Sequence, residues 1–143
     1  MKGQIILGKG KILLASMMII SLLSFITRAQ EASSKVREIS GIKEVESVIK
    51  GAGENLIAFD VFAKWCNPCK VLSPILEQIA QEYEEKVTIY KIDVDKNQDL
   101  AGAFGVKGVP HVVFVKNGKP VHSMTGLRSK DDYIRVINKF FKT

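Results

Sequence analysis

The segment "FDVFAKWCNPCKVLSP", residues 59–74, contains the only two cysteines of the 143-residue chain, Cys66 and Cys69. A continuous apolar run of the kind found in buried strands leads up to them. Apolar residues at helical spacing follow them, so the pair lies where a strand gives way to a helix. Two cysteines at this spacing can form a structural disulfide, supply half of a zinc site, or cycle between dithiol and disulfide.

Zinc is the role least compatible with the rest of the sequence. A zinc site takes about four ligands, so His111 and His122 would have to complete it. Ten residues separate these two histidines, whereas finger-type sites separate them by about three to five. We therefore expect no metal, and ordinary hydrogen bonds for both histidines.

A structural disulfide would add little to this chain, because the ring that it closes is small. The loop-entropy formula gives on the order of 2 kcal/mol for such a ring, and a domain with this much apolar sequence does not need it. Redox cycling is favoured instead. Cys66 would begin a helix, where free amide groups and the helix dipole stabilise a thiolate.

The amino terminus has the pattern of a secretory signal peptide. A basic start, with lysines at positions 2, 9 and 11, precedes about 15 uncharged and mostly apolar residues, 12–26. The small residues Thr27 and Ala29 follow, which places the expected cleavage after Ala29. A retained membrane anchor is the alternative, but a spanning helix needs about 20 apolar residues.

This pattern divides the chain into a signal peptide (1–29), a short tether (30–34) and one folded domain (35–143). Without the signal peptide the net charge falls from +6 to +2, because that segment carries three lysines and Arg28 but no acidic residue. A charge so nearly balanced gives no argument for nucleic-acid binding. We expect the domain to work in the periplasm or another extracytoplasmic compartment.

Apolar periodicity in the domain predicts the order β-α-β-α-β-α-β-β-α. An Asn-Gly pair at 117–118 predicts a tight hairpin between the last two strands, and Ser129 is the expected N-cap of the last helix. This order implies a mixed sheet covered by helices. The strands are expected at 35–39, 55–62, 87–95, 111–115 and 120–125, and the helices at 42–53, from the cysteines to about 85, at 98–104 and at 131–141.

Five segments in order, over nearly all of residues 35–143, resemble the thioredoxin family. The resemblance implies the thioredoxin fold, an α/β structure with a central five-stranded mixed sheet and four flanking helices. It also implies thiol-disulfide oxidoreductase activity without a cofactor. The five are "FDVFAKWCNPCK", the proline eight residues after Cys66, "YKIDVD", "GVKGVPHVVFVKNGK" and "TGLRSK".

The resemblance also assigns roles at the cysteines. Cys66 corresponds to the nucleophile that forms a mixed disulfide, Cys69 to the resolving thiol, and Pro68 to the proline between them. Asp60 corresponds to a buried carboxylate that accepts the proton of Cys69, and Lys91 to a lysine near it. An acid in a buried strand is costly unless it is paired. The alternative for Asp60 is a position at a strand end, in contact with water.

The remaining implied residues bind the substrate. Val109 and Pro110 correspond to a cis-proline loop that faces the cysteines and, with Trp65 and Gly126, lines a shallow groove for an extended peptide. A core position is the alternative for Trp65. Two residues differ from the usual family pattern: Asn67, between the cysteines, replaces a glycine, and His111 replaces a threonine after the cis-proline.

Together these features predict a monomeric enzyme that reduces disulfides in exported proteins. No nucleotide or flavin motif is found in the sequence, so we expect electrons to arrive by thiol exchange, from a membrane electron carrier or another thiol protein. A disulfide-forming oxidase or isomerase of the same fold is the first alternative. A redox-silent binding module or scaffold is the second, and intact cysteines argue against it.

Overall fold

The computed structural model describes residues 34–141. The predicted signal peptide and all but Ser34 of the predicted tether lie outside these residues and stay predictions. Within the described residues, no helix has the length and apolar character needed to cross a membrane.

The described chain forms five strands and four helices in the predicted order. This confirms the predicted fold class, a five-stranded mixed sheet flanked by four helices. The strands are β1 (Arg37–Glu38), β2 (Leu56–Phe62), β3 (Val87–Asp93), β4 (His111–Lys116) and β5 (Lys119–Thr125), and the helices are α1 (Ile42–Ala52), α2 (Asn67–Glu82), α3 (Gln98–Ala103) and α4 (Lys130–Phe141).

The sheet has the strand order β1-β3-β2-β4-β5. The first three strands are parallel, and β4 and β5 run antiparallel to their neighbours. Strand β2 therefore lies at the centre, where Asp60 is paired with Lys91 on β3 and with Val112 on β4. Because β2 has a neighbour on each side and helices on both faces, six of its seven residues are buried.

The core consists of two apolar layers, one on each face of the sheet, because successive strand residues point to opposite faces. The layer under α2 and α4 contains Ala58 and Val112, and the layer under α1 and α3 contains Phe59 and Val113. Helices α2 and α4 contribute Leu72, Leu76, Ile79, Ala80, Tyr133 and Ile137 to the first layer.

Two local signals predicted from the sequence are confirmed. Asn117 and Gly118 have φ angles of 51° and 74°, the positive values that a two-residue hairpin turn of type I′ requires. Ser129 caps α4: its hydroxyl accepts from the backbone N–H of Asp132 at 3.3 Å, and the Asp132 carboxylate accepts from the Ser129 N–H at 3.0 Å.

The element boundaries differ from the predicted ones by more than one residue at α2, β1 and β3, which ends at Asp93 rather than at residue 95. Helix α2 ends at Glu82 rather than near residue 85, because the carbonyl of Tyr83 accepts hydrogen bonds from Lys86 and Val87 and so turns the chain into β3. Strand β1 has two residues rather than five. The N–H of Ile39 still donates to the carbonyl of Lys91 at 2.9 Å, which extends the pairing by one residue.

Candidate active site

The two cysteines lie at the start of α2, just beyond the carboxyl end of β2. Cys66 is the N-cap residue of α2, and its Sγ accepts a hydrogen bond from the backbone N–H of Cys69 at 3.2 Å. A disulfide joins the two residues. Pro68 lies in the first turn, where a missing N–H costs nothing. The amide and the helix dipole would therefore both stabilise negative charge on Cys66.

Exposure does not distinguish the two cysteines in this oxidised state, since each is 4% exposed. They pack with Ala63 in a small apolar cluster that Val109 also contacts. Asn67 and Pro68, which lie between them, are exposed. What distinguishes the cysteines is position: Cys66 caps the helix, and Cys69 lies one turn inside it.

Asp60 is fully enclosed in the middle of β2, with 1% of its surface exposed. The alternative of a strand-end aspartate in contact with water is therefore wrong. Its Oδ1 atom is buried without a hydrogen-bond partner among the described residues. Desolvation raises the pKa of this carboxyl from the usual 3.8 to about 6, and the charge of Lys91 acts in the opposite direction.

Lys91 is the neighbour of Asp60 in the β2–β3 register, as expected from the family resemblance. Its ammonium Nζ donates to Oγ of Ser73 on α2 at 2.6 Å, rather than to Oδ1 of Asp60, and lies 4.6 Å from the centroid of the Phe62 ring. Lys91 is therefore close enough to act on Asp60 by charge, while Ser73 determines where the ammonium sits.

The loop before β4 lies against the cysteines. The Val109–Pro110 peptide bond is cis, and Val109 packs against the cysteine cluster. The carbonyl of Pro110 accepts a hydrogen bond from the N–H of Gly126 at 2.8 Å, so the two loops meet at this edge. The arrangement brings Val109, Pro110 and Gly126 to the end of the sheet where Cys66 begins α2.

Trp65 is 68% exposed, so the alternative of a core tryptophan is wrong. Its indole Nε1–H donates to Oδ2 of Asp95 at 3.0 Å. This hydrogen bond joins the residue before Cys66 to the loop that follows β3. A large aromatic surface is thereby presented next to the disulfide.

The two histidines contact different residues. Nδ1 of His111 lies 2.8 Å from Oγ1 of Thr125 across the β4–β5 pair, and burial lowers the pKa of His111. The His122 ring lies near the rings of Phe114 and Phe140, with centroid distances of 6.2 and 6.3 Å. Among residues 34–141, no three His, Cys, Asp or Glu side chains are grouped as metal ligands.

Sequence reasoning missed four residues around this site: Ser73, Asp95, Thr125 and Tyr133. Each contacts or influences a predicted site residue from a distant part of the chain. Tyr133 is 1% exposed, and its hydroxyl is buried without a partner among the described residues. Burial raises the pKa of Tyr133 to about 12, and the charge of Asp60 adds to the effect. A polar atom in an otherwise apolar helix face was the only available signal for Tyr133.

Comparison with known proteins finds similarity to thioredoxins. The Thioredoxin family model matches residues 36–139. The chain is 40% identical to the thioredoxin of Bacillus subtilis over 86 residues, which is 60% of this chain and 83% of that protein. It is 43% identical to the thioredoxin of Chlamydia muridarum over 84 residues, 59% of this chain and 81% of that protein.

Solved structures agree with these matches. A mutant thioredoxin from Halobacterium salinarum NRC-1 has a TM-score of 0.69 at 32% identity, and the match covers 78% of this chain and 96% of that one. Fasciola hepatica thioredoxin has a TM-score of 0.69 at 33% identity, with coverage of 73% and 98%.

Proposed function

Because the chain belongs to the thioredoxin family and is a thioredoxin-like protein-disulfide reductase, we propose that it acts outside the cytoplasm, on disulfides of exported proteins. The observation that carries the chemistry is the Cys66–Cys69 pair at the start of α2, with the buried carboxyl of Asp60 in the strand that leads up to it. The pair can pass between the disulfide form and a dithiol.

The first step of the proposed reaction is attack by the Cys66 thiolate on one sulfur of a substrate disulfide. An S–S bond forms between Cys66 and the substrate, and the other substrate sulfur leaves as a thiolate. Cys66 suits this role because its Sγ accepts a hydrogen bond from the Cys69 N–H at the helix N-terminus, which stabilises a thiolate there. The same stabilisation makes Cys66 a good leaving group in the reverse exchange.

The second step releases the substrate. Cys69 gives its proton to Asp60, and its sulfur attacks Sγ of Cys66, which restores the Cys66–Cys69 disulfide and frees the second substrate thiolate. Two electrons have then passed to the substrate. Asp60 suits the role of base because its pKa of about 6 lies near physiological pH. Lys91, held by Ser73, favours the ionised carboxylate.

The substrate peptide is proposed to bind along the groove beside Cys66. Trp65 supplies exposed apolar surface, and Val109 and Pro110 offer their backbone, next to the cysteines, to an extended peptide. Gly126, Asn67 and Pro68 complete the lining, and none of the three carries a large side chain that would block an incoming disulfide.

The extracytoplasmic location rests on the basic and apolar pattern of residues 1–29. The family match begins at residue 36, so this segment is additional to the catalytic domain. Disulfides persist in exported proteins, which makes such proteins suitable substrates. We propose that a membrane electron carrier or another thiol protein returns the Cys66–Cys69 pair to the dithiol, and that the enzyme acts as a monomer.

Two experiments test these proposals separately. For the activity, the protein should accelerate insulin reduction by dithiothreitol, and Cys66→Ser should abolish the acceleration. Absence of acceleration by the unaltered protein would support the scaffold alternative. For the location, residues 1–34 fused to alkaline phosphatase should give an active, exported enzyme, and Leu14→Arg with Leu22→Arg should prevent export. Phosphatase that stays inactive in both fusions would contradict the export proposal.

A further inference from the structure

Two buried polar atoms without partners lie on the same side of the sheet. Oδ1 of Asp60 and the hydroxyl of Tyr133 are both enclosed, and neither has a hydrogen-bond partner among the described residues. Asp60 points to the same face as Ala58, two residues before it, and is paired with Val112. Ala58, Val112 and Tyr133 belong to one apolar layer, so both polar atoms face the space under α2 and α4.

The two groups also interact electrostatically. The ionised Asp60 contributes to the raised pKa of Tyr133, after desolvation. Arg128, two residues before α4, acts to lower the pKa of Tyr133, and Asp132, in the first turn of α4, acts to raise it. On the other side of Asp60 the charged neighbour is Lys91, and its ammonium is already bound to Ser73.

The chemistry of the two atoms is complementary. An ionised carboxylate only accepts hydrogen bonds, whereas a phenol hydroxyl can donate one. Buried polar atoms in native proteins are nearly always hydrogen-bonded, either directly or through an enclosed water. We propose that the Tyr133 hydroxyl acts on the Asp60 carboxylate through one enclosed water, to which it donates and which in turn donates to the carboxylate, and that Tyr133 is a positioning residue that favours the ionised form of the base.

This inference rests on the proposed role of Asp60 as the base for Cys69. In the resolving step, the proton moves from the sulfur of Cys69 to a carboxylate oxygen of Asp60, and Tyr133 keeps its own proton throughout. A donor to the charged form of an acid lowers its affinity for protons. Tyr133 therefore sets the pH above which Asp60 is ready to accept the Cys69 proton.

The test compares the full-length protein with Tyr133→Phe, which removes only the hydroxyl. Tyr83→Phe is the matched control, because Tyr83 is half-buried against the same apolar layer. Carboxyl carbon-13 signals followed against pH report the proton affinity of Asp60. Tyr133→Phe should raise that affinity about tenfold, the size expected for one charge-assisted hydrogen bond, and Tyr83→Phe should leave it unchanged. Equal affinity in all three proteins would overturn the proposal.

A second measurement uses the unaltered protein, so it does not depend on the variant folding. The ring carbon bonded to the Tyr133 hydroxyl should change its chemical shift with the same midpoint as the Asp60 carboxyl, whereas the Tyr83 ring should not. A Tyr133 chemical shift that does not change as Asp60 ionises would refute the hydrogen bond.

Kinetics separate this proposal from the function on which it rests. In Tyr133→Phe, release of a substrate from Cys66 should slow several-fold near the Asp60 midpoint and recover at higher pH, while formation of the mixed disulfide stays unchanged. If the Asp60 proton affinity shifts but release does not, Tyr133 contacts Asp60 and the assignment of Asp60 as base fails. If neither changes, the proposal for Tyr133 fails and the reductase activity is unaffected.

Discussion

The buried carboxyl of Asp60 should make the stability of the folded chain depend on pH. Its pKa is about 6 in the folded protein, against 3.8 ordinarily. The folded state therefore binds this proton more tightly than the unfolded state does. Stability from this group is fully present below pH 3.8 and is lost as pH rises through 6.

The size of the effect follows from the two pKa values. A difference of about 2.2, at about 1.36 kcal/mol for each pKa unit, corresponds to about 3 kcal/mol. Asp60→Asn keeps the shape of the side chain but cannot ionise. At pH 4 the unfolded carboxyl is already partly ionised, so between pH 4 and 8 the variant should gain roughly 2–2.5 of these 3 kcal/mol in free energy of unfolding relative to the unaltered protein.

The assay is urea denaturation of both oxidised proteins at intervals between pH 4 and 8. Oxidised cysteines do not titrate, and the other titrating groups cancel in the difference between the two proteins. Asp131→Asn, which removes an exposed carboxylate from the first turn of α4, controls for the loss of one negative charge. A stability difference between Asp60→Asn and the unaltered protein that is the same at pH 4 and pH 8 would refute the reasoning.

Three further predictions concern the thiol exchange and the fold. Cys69→Ser should accumulate substrate proteins on Cys66 as mixed disulfides visible on non-reducing gels, because the resolving sulfur is gone; equal trapping by Cys66→Ser would reverse the two assignments. Equilibration with glutathione buffers should give a potential nearer to about −270 mV than to about −120 mV, since no charged residue lies between the cysteines, and a value more oxidising than about −180 mV would favour the oxidase alternative. Asn97 is buried and accepts from the Ser40 hydroxyl and the Gly41 N–H, at 2.9 and 2.8 Å, so Asn97→Ala should lower the free energy of unfolding by roughly 1–3 kcal/mol. A loss below about 0.5 kcal/mol in urea denaturation would show that water replaces these bonds.

Features with a local cause could be predicted from the sequence. The Asn117-Gly118 turn depends on which residues tolerate positive φ, and the Ser129 cap depends on a side chain three residues from its partner. The continuous apolar run of β2 predicted a central strand because only a strand covered on both faces buries every residue. Local chemistry therefore determined the order of the elements and the place of the cysteines.

Features that join distant residues could not be predicted in the same way. Lys91 and Ser73 are 18 residues apart, and Trp65 and Asp95 are 30 apart. Their contacts depend on how β3 and the loop after it lie against the start of α2. The apolar pattern of the sequence predicts the strand and the helix, but it does not determine which polar side chains meet between them. The equal burial of the two cysteines has the same origin, since it depends on where the Val109 loop packs.

The exposed indole of Trp65 also provides an intrinsic fluorescent probe of the redox centre. Trp65 is the single tryptophan of the chain and directly precedes Cys66, so all indole emission comes from beside the redox centre. An excited indole passes an electron readily to a neighbouring disulfide, which quenches its fluorescence. The indole also donates a hydrogen bond to Asp95, which joins the ring to the loop after β3. We therefore expect weaker emission from the disulfide form than from the dithiol form, so that a rise in intensity would report reduction of Cys66–Cys69 without a label.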